Sequence, residues 1–341
     1  MLHEISLRRL VRPSAMTGIT ITEFASDDTE LTCPYFHQRF FTSDGRFLVC
    51  QGRFDGLTEA VLVDREEAKA YRLTDGGANA HGGDMAPDGR TFFFTREGGV
   101  WSVDVSSGHD KKHFPLPDEG GYRPSGLLHV NATGSLIAVA GNREHASGVK
   151  TGCVWTIAAA DGKAQPIVER PFAIGHVQFS TVDPGLVMYC HETGGAAPQR
   201  MWLARTDGPH PGALFHDPGH PWVTHETFTG NGQRVVFIRH PEGLALINPD
   251  NTGYHAVDAP GAWHPGPSFD GTRVAFDTHG GELWLADLRA GKHRKLSAGE
   301  RGPDGPHMHP RFAPDDATLV WTSSRDGQPR TALLDIAGVS A

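Results

Sequence analysis

A short turn followed by an apolar run recurs seven times along this chain, and this repeat restricts the possible folds more than any other feature. Representative copies read FTSDGRFLVC at 41–50, FTGNGQRVVFI at 228–238 and SFDGTRVAFD at 268–277. The residues that mark the turns lie 39 to 51 residues apart along the chain. They are Gly45, Gly89, Gly134, Gly185, Gly232, Gly271 and Asp316. Because the copies occupy almost the whole chain, we interpret them as one repeating architecture.

Each copy has the pattern of β-hairpins. Alternating apolar residues lead into Asp-Gly or Asn-Gly, which accept the positive φ of a tight hairpin turn, and a second apolar strand follows. Four antiparallel strands in roughly 45 residues, repeated along a chain, are typical of a β-propeller. The sequence therefore predicts an all-β, seven-bladed β-propeller that forms a single domain over residues 1–341. The blades are expected to begin near residues 36, 80, 125, 175, 224, 263 and 308.

The sequence also predicts how the ring closes. The seventh copy contains only three strands, so the outer strand of its blade is missing. The segment 18–25 has the composition of a strand. We expect this N-terminal strand to join the strand at 330–336 and close the last blade, because closure removes an exposed sheet edge.

Composition and charge exclude several classes of partner. The formal charge is −9 at pH 7, so the chain has no overall basic footprint for nucleic acid or anionic lipid. No apolar run approaches the roughly 18 residues that a membrane span needs. Glu4 interrupts an N-terminal segment that would be a poor signal peptide, and the four cysteines lack CxxC spacing. We therefore predict a cytoplasmic protein without nucleic-acid or membrane partners, and its oligomeric state stays open.

The chain contains 20 histidines, and six of them share one position in the repeat. Each of these histidines lies seven to nine residues before the turn residue of its copy. They are His37, His81, His176, His225, His264 and His309. The third copy has Gly126 at this position. The first strand of a propeller blade lines the central channel, so we expect the imidazoles to surround one mouth of it. Packing would tolerate many residue types, and six histidines in phase therefore favour a functional site.

Metal binding is one use for such a ring of imidazoles. His307 and His309 are two residues apart, so their side chains lie on the same side of a strand. A third imidazole from a neighbouring blade would complete a set of ligands on one face of a metal ion. With a carboxylate or amide nearby, such a site suits Mn²⁺, Zn²⁺ or Fe²⁺ and leaves positions open for substrate oxygens.

Several segments resemble the oligogalacturonate lyase family of propeller enzymes. The resemblance lies in YFHQRFFTSDG at 35–45, GHVQFS at 175–180, CHE at 190–192, RMWL at 200–203, HETF at 225–228 and PHMHP at 306–310. These segments are spread over the first to the seventh blade. The resemblance implies a seven-bladed propeller, a Mn²⁺-type site of three histidines and one glutamine, and β-elimination on short uronate oligomers.

The resemblance also implies roles for individual residues. The metal histidines would be His264, His307 and His309, and the position of the family's glutamine holds Asp304. The base falls on His225, and a catalytic arginine that binds the substrate falls on Arg200. The residues expected to bind substrate are His37, Gln38, Arg39, His81, His176 and His191. The implied cofactor is a divalent metal, Mn²⁺ in the first place, with Zn²⁺, Fe²⁺ or Ca²⁺ as alternatives.

The chemistry of β-elimination requires the same groups, namely a divalent cation, a base and an arginine. The proton at C5 of a 4-linked uronate lies next to a carboxylate and is a very weak acid, and a divalent cation stabilises the charge that develops when it leaves. A neutral imidazole is a suitable base. Arginine offers a planar fork for a second carboxylate. The sequence therefore predicts a metal-dependent polysaccharide lyase, and its partner is an anionic oligosaccharide substrate.

Two alternatives stay open at this point. A lyase of the same fold could act on another uronic-acid glycan, because the sequence does not discriminate between these sugars. A non-catalytic propeller scaffold shares the S-x-D-G hairpin, but that function would not explain histidines in phase.

Overall fold

The computed structural model describes residues 2–217, 219 and 222–341. Their strands form seven antiparallel sheets, which are the blades of a propeller, as the sequence predicts. A 3₁₀ turn, Glu119–Gly121, is the only helical segment among the described residues. The described part of the chain therefore has no helix of the length and apolarity needed to cross a bilayer.

The N-terminal arm and blades 1 to 3 contain the first fourteen strands. The arm contains β1 (His3–Ile5), β2 (Arg8–Pro13) and β3 (Thr20–Ala25). Blade 1 contains β4 (Phe47–Phe54), β5 (Leu57–Asp64) and β6 (Lys69–Arg72). Blade 2 contains β7 (Asn79–Met85), β8 (Thr91–Arg96), β9 (Gly99–Asp104) and β10 (Asp110–Pro115). Blade 3 contains β11 (Arg123–Val130), β12 (Leu136–Glu144), β13 (Lys150–Ala158) and β14 (Ala164–Arg170).

Blades 4 to 7 contain the remaining strands. Blade 4 contains β15 (Ile174–Phe179), β16 (Leu186–His191), β17 (Met201–Arg205) and β18 (Gly212–Leu214). Blade 5 contains β19 (Trp222–Phe228), β20 (Val235–His240), β21 (Gly243–Ile247) and β22 (His255–Asp258). Blade 6 contains β23 (Ala262–Pro267), β24 (Arg273–Thr278), β25 (Leu283–Asp287) and β26 (Lys292–Ser297). Blade 7 contains β27 (Arg311–Phe312), β28 (Thr318–Ser323) and β29 (Arg330–Asp335).

The N-terminal arm closes the ring. β3 pairs antiparallel with β29, with Phe24 opposite Thr331 and Ile21 opposite Leu334, so the predicted closing strand is confirmed. β2 pairs with β3 on the outside of blade 7, whereas β1 pairs with β6 at the outer edge of blade 1. The arm therefore covers the outer edges of two adjacent blades, which would otherwise be open to pairing with other chains.

Apolar side chains fill the spaces between neighbouring blades. Between blades 3 and 4, for example, Ala138 and Val154 pack with Phe179 and Val187, and all four side chains are buried. Alternation along each strand directs its apolar residues to the faces that meet the next blade. Burial of one such valine or phenylalanine contributes roughly 1.5–3 kcal/mol. Repeated around the ring, this packing makes the propeller a rigid frame for the channel.

The innermost part of blade 1 differs from the expected inner strand. Residues 32–41 pair with β4 only through isolated bridges, from Thr32 to Gln51 and from Phe41 to Leu48. Between these bridges, Tyr35 and Phe36 reach the ring side chains of several other blades. We refer to residues 33–38 as the channel segment, because its aromatic rings fill the middle of the channel.

Candidate active site

Bulges in the inner strands turn histidines toward the channel. The pairing register shifts around His176 in β15 and around His225 in β19. His176 (φ 46°), His225 (φ 51°) and His309 (φ 50°) all have left-handed backbone. This conformation costs a non-glycine residue about 1–2 kcal/mol. Strain of this kind is concentrated at functional sites.

Blade 3 also has a bulge at this position, but without a histidine. The register of β11 against β12 shifts between Pro124 and Leu128, and Gly126 (φ 81°) lies inside the shift. Glycine adopts positive φ without a steric penalty. In blades 3, 4, 5 and 7 the shared position in the repeat therefore has a left-handed backbone, and His176, His225 and His309 occupy it against their conformational preference.

The histidines gather around the channel segment. The imidazoles with ring centroids 5.0 to 6.5 Å from that of Tyr35 belong to His37, His81, His176, His264 and His309. The ring of His225 lies 5.4 Å from Phe36 and 4.4 Å from His264. Five histidines from five blades thus surround the rings of Tyr35 and Phe36, and His37 lies deeper in the channel, where it also lines a cavity with Arg39 and Arg311.

His264, His307 and His309 form a compact group. The ring centroids of His307 and His309 lie 4.9 and 4.4 Å from that of His264. Buried Asp277 accepts hydrogen bonds from the backbone nitrogen of His264 at 2.8 Å, from its Nδ1 at 3.0 Å and from Met308 N at 3.3 Å. Because a carboxylate only accepts, Nδ1 of His264 carries a proton, and Nε2 is the ring nitrogen left to face a metal ion.

The surroundings keep this group in the form that binds metals. Burial lowers the pKa of His307 to about 4. Burial and the neighbouring His264 lower the pKa of His309 well below its usual value. Metal ions bind the deprotonated ring nitrogen, so both residues are in the ligand form at neutral pH. Imidazoles with an orienting carboxylate fit a divalent ion such as Mn²⁺, Fe²⁺ or Zn²⁺.

The structure does not bring Asp304 to this group. Its side chain is exposed and forms neither a hydrogen bond nor an ion pair with the three histidines among the described contacts. Arg301 Nε donates to the carbonyl of Gly305 at 2.8 Å and holds the turn in which Asp304 lies. The carboxylate that contacts the histidines is Asp277, and a role for Asp304 as ligand stays a prediction.

Arg200 lies in a buried network of carboxylates beside this group. Its Nε donates to Glu226 at 3.2 Å, and its Nη1 donates to Glu192 at 3.2 Å. Nδ1 of His176 donates to Glu226 at 3.0 Å, so Nε2 accepts the hydroxyl proton of Tyr35, also at 3.0 Å. Burial alone would raise the pKa of Glu226, but the charge of Arg200 and the hydrogen bond from His176 hold it well below its usual range.

This network leaves Arg200 little freedom to bind substrate. The residue is only 4% exposed, and its guanidinium already faces two carboxylates. The sequence predicts an open fork for a substrate carboxylate, whereas here the fork holds Glu226 and Glu192. In this arrangement Arg200 fixes Glu226, and Glu226 in turn fixes the tautomer of His176.

A tighter group of possible metal ligands lies inside the network. His176, Cys190 and Glu226 offer ligand atoms that all lie within 4.8 Å of one another. The carboxylate of Glu226 is already paired with Arg200 and His176, and burial raises the pKa of the Cys190 thiol well above its usual value. We interpret this group as a hydrogen-bond network, because it lacks a free anionic ligand.

Aromatic side chains of blades 5 and 6 form another wall of the site. Trp263 lies 4.5 Å from His225, 4.1 Å from His279 and 5.3 Å from Trp222, measured between ring centroids. His240 in turn lies 5.3 Å from Trp222. Aromatic surfaces with a few polar groups are typical linings of small-molecule pockets.

Two residues expected to bind substrate lie elsewhere. Gln38 is completely buried, and its Nε2 donates to three backbone carbonyls of blades 2 and 3. The backbone nitrogen of Arg39 donates to buried Asp84 at 2.7 Å, and its guanidinium pairs with the same carboxylate. Arg39 lines cavities at the opposite mouth of the channel, together with Arg311. Both residues connect blades rather than face the histidines.

The remaining predicted residues occupy different depths. His81 joins the cluster, with its ring 5.6 Å from that of His309. His37 is buried inside the channel, and neither of its ring nitrogens has a partner among the described residues. His191 stacks on Phe172 at 4.2 Å, near the rim of the site.

The sequence interpretation missed four residues that shape the site. Glu226 directly follows His225, so its alternation to the other face of β19 was a usable signal. Tyr35 lies next to the in-phase His37, but only the irregular course of the channel segment brings it to the centre. Asp277 and Trp263 become site residues through the pairing of β23 with β24, which is a tertiary feature.

The fold and the site together define a seven-bladed propeller with a candidate metal and acid–base site at one mouth of its channel. The family model of oligogalacturonate lyase matches residues 3–139. Oligogalacturonate lyase from Dickeya dadantii is 23% identical, over 94% of this chain and 94% of that protein.

Solved structures share the fold. An oligogalacturonate lyase in complex with manganese has a TM-score of 0.86 and 22% identity, and the match covers 98% of this chain and 97% of that one. Oligogalacturonate lyase from Vibrio parahaemolyticus has a TM-score of 0.87 and 22% identity, with 97% of both chains covered.

These findings confirm the resemblance to the oligogalacturonate lyase family and the seven-bladed fold. The relatives are named as lyases, which agrees with the enzyme class that the sequence predicts. The roles of the individual site residues stay predictions.

Proposed function

We propose that this protein is a lyase that cleaves short uronate oligosaccharides of the oligogalacturonide type by β-elimination. The observation that carries the proposal is the position of His225, whose buried Nδ1 has no hydrogen-bond partner, beside His264, His307 and His309. A free imidazole next to a set of metal ligands suits proton removal from a uronate. The names of the relatives support the same reaction.

His225 would act as the base. Burial and the neighbouring His264 lower the pKa of His225 well below its usual value, so the ring is neutral and able to accept a proton at neutral pH. Trp263 and His264 contact the ring at 4.5 and 4.4 Å and hold its orientation. In the proposed reaction His225 takes the C5 proton, a C4–C5 double bond forms, and the bond from C4 to the glycosidic oxygen breaks.

The departing oxygen needs a proton, and Tyr35 would be the donor. Its hydroxyl lies among the imidazoles and is held at 3.0 Å by Nε2 of His176. Burial raises the pKa of Tyr35, so the hydroxyl keeps its proton until the leaving oxygen requires it.

His264, His307 and His309 would hold a divalent metal, in the first place Mn²⁺. When bound, the ion would neutralise the substrate carboxylate and stabilise the charge that develops at C5. Asp277 orients His264 and the backbone at Met308 for this purpose. The manganese of a solved oligogalacturonate lyase complex supports this choice of ion.

We also propose that the protein acts in the cytoplasm, on short fragments that arise in pectin degradation. Cys33, Cys50, Cys153 and Cys190 are all buried free thiols, which supports a reducing compartment. A lyase on another uronic-acid glycan is the alternative, because the site groups recognise carboxylates rather than the stereochemistry of one sugar.

An elimination assay on a panel of uronate oligomers tests the proposal. Saturated di- and trisaccharides of galacturonate, glucuronate and mannuronate would be incubated with the protein, with Mn²⁺ or with a chelator. We expect ultraviolet absorbance of an unsaturated product from galacturonate oligomers, lost with the chelator. Preference for another uronate would favour the alternative, and no unsaturated product from any oligomer with Mn²⁺ would overturn the proposal.

A further inference from the structure

A basic cleft lies beside the histidine cluster, between blades 3 and 4. It has a volume of about 880 Å³, which is in the range of small-ligand sites. Its wall is the hairpin of β12 and β13, each nine residues long. The corresponding strands of blades 4 to 7 have five or six residues. Arg143 and Lys150 lie in the part of these strands that adds to their length, and Arg123 begins the neighbouring β11.

The cleft has an excess of positive charge. Arg123, Arg143 and Lys150 line it, and none of the three forms an ion pair with the side chains that the structure describes. Two carboxylates also line it. The carboxylate of Glu192 is paired with Arg200. Glu144 lies opposite Lys150 in the pairing of β12 with β13. The local charge is therefore opposite to the net charge of the chain.

Arg143 is held in place before any ligand binds. Its Nη1 donates to the carbonyl of Gly120 at 2.9 Å, and its guanidinium lies 4.9 Å from the ring centre of Tyr122. The hydroxyl of Tyr122 donates to Glu169 at 2.6 Å, which fixes the ring beneath the guanidinium. A preorganised guanidinium loses little side-chain entropy when it binds a carboxylate.

The cleft adjoins the candidate active site through Glu192. Its carboxylate lines the cleft and also contacts Arg200 at 3.2 Å and His176 at 3.8 Å. The guanidinium of Arg200 is already paired with two carboxylates, so it offers no free fork to a further anion. An oligouronate has one carboxylate on each sugar. The sugars that extend past the histidines therefore need other cations to bind their carboxylates, and this cleft supplies them.

We infer that the cleft of Arg123, Arg143 and Lys150 is a second subsite, which binds the carboxylates of uronate residues that extend beyond the histidine cluster. The inference rests on the proposed function, since it takes the ligand of the cleft to be part of the same anionic oligosaccharide. On this inference, residues of blade 3 determine which length of oligosaccharide the protein prefers.

The test compares oligomers of increasing length. The triple variant Arg123→Ala/Arg143→Ala/Lys150→Ala, the three single variants and wild type would be assayed with saturated di-, tri- and tetragalacturonate. We expect kcat/KM of the triple variant to fall on the order of tenfold for oligomers that reach the cleft, through KM, and to stay within about twofold for the dimer. Added salt should weaken the wild-type preference for longer oligomers in the same direction.

Lys292→Ala is the matched control, because it removes one exposed positive charge on the outer strand of blade 6. An equal loss for all lengths, or no loss for any, would overturn the inference while the lyase activity of wild type upholds the proposed function. Calorimetric binding of tetragalacturonate separates the two claims. If wild type binds tetragalacturonate without cleaving it and the triple variant does not bind it, the proposed function would be overturned and the anionic subsite supported.

Discussion

The inner strands of blades 3 and 5 both have a bulge with a left-handed residue at the shared position of the repeat, but the residue differs. In blade 3 the left-handed position is Gly126 (φ 81°), and its carbonyl accepts a hydrogen bond from Asn79 Nδ2 at 2.8 Å. In blade 5 it is His225 (φ 51°), whose Nδ1 has no partner among the described residues. Blade 3 shows that the ring needs only the backbone shape at this position. The strained imidazole of blade 5 therefore serves the site rather than the fold.

Converting blade 7 to the pattern of blade 3 should have the largest effect. His309→Gly keeps a residue that accepts φ near 50° and removes one imidazole of the metal group. We expect the affinity for Mn²⁺ to fall by at least 10–100-fold, because the loss of a hydrogen-bond partner of a metal ligand alone has an effect of this size. Elemental analysis after dialysis measures it. His191→Ala, at the rim of the same mouth, is the control and should keep its metal; equal metal content in both variants would contradict the assignment.

The opposite mouth of the channel offers a polar pair that serves the fold. Buried Asp84 accepts hydrogen bonds from Arg39 N at 2.7 Å and Val130 N at 2.8 Å, and it pairs with the guanidinium of Arg39. Asp84→Asn should lower the free energy of unfolding at pH 7 by about 2–3 kcal/mol, because it leaves a partly buried cation without its partner. Activity per folded molecule should change little, unlike in the histidine variants.

The same pair predicts a pH dependence. Burial alone would raise the pKa of Asp84, but Arg39 holds it below the usual value. The carboxylate therefore stabilises the protein above the unfolded-state pKa of about 3.9, and this contribution is lost as the pH falls through the lower folded-state pKa. Denaturant unfolding should show the gap between wild type and Asp84→Asn narrowing from pH 7 to pH 3. A constant gap would mean that the ionised form does not contribute.

Gly126→Ala tests the backbone side of the comparison. Alanine at φ 81° is strained, and its Cβ would lie 3.1 Å from Asn79 Nδ2. We expect a loss of about 1–2 kcal/mol in the free energy of unfolding, with kcat unchanged. Gly208→Ala is the matched control, because that glycine has open space and no positive φ. Equal stability of the two variants would show that blade 3 does not need glycine.

The smallest expected effect is the difference in stability between the glycine and alanine variants of His225. In an ordinary strand alanine is more stable than glycine, but at φ 51° the order should reverse. His225→Gly should be more stable than His225→Ala by about 1 kcal/mol in denaturant unfolding. If alanine is the more stable of the two, the left-handed backbone at this position is not retained.

Much of the fold could be predicted because it repeats. The turns, the number of blades and the closing strand at Thr20–Ala25 follow from local patterns that recur along the chain. The phase of the histidines likewise located the cluster, since a repeat places equivalent residues at equivalent depths in the channel. Gly126 in the third copy was a sign of the left-handed backbone that this position also has at His176, His225 and His309.

The rest depends on contacts that no local pattern encodes. The irregular course of residues 33–38 carries Tyr35 to the centre, away from the strand expected there. Asp277 reaches His264 only through the pairing of β23 and β24. Arg39 was expected to bind substrate on the basis of its motif, yet its charge is paired with Asp84 across a blade interface. Charge pairing of this kind depends on tertiary packing.

Replacement of the strained His225 decides whether this residue is the base of a uronate lyase. Elimination from a saturated galacturonate oligomer would be followed in wild type and His225→Gly, with metal content and oligomer binding measured on the same samples. We expect the variant to keep its metal and to bind the oligomer, while its rate falls by about 10²–10⁴-fold. A variant that retains most of the wild-type rate would show that His225 is not the base, which would then lie elsewhere among the channel histidines.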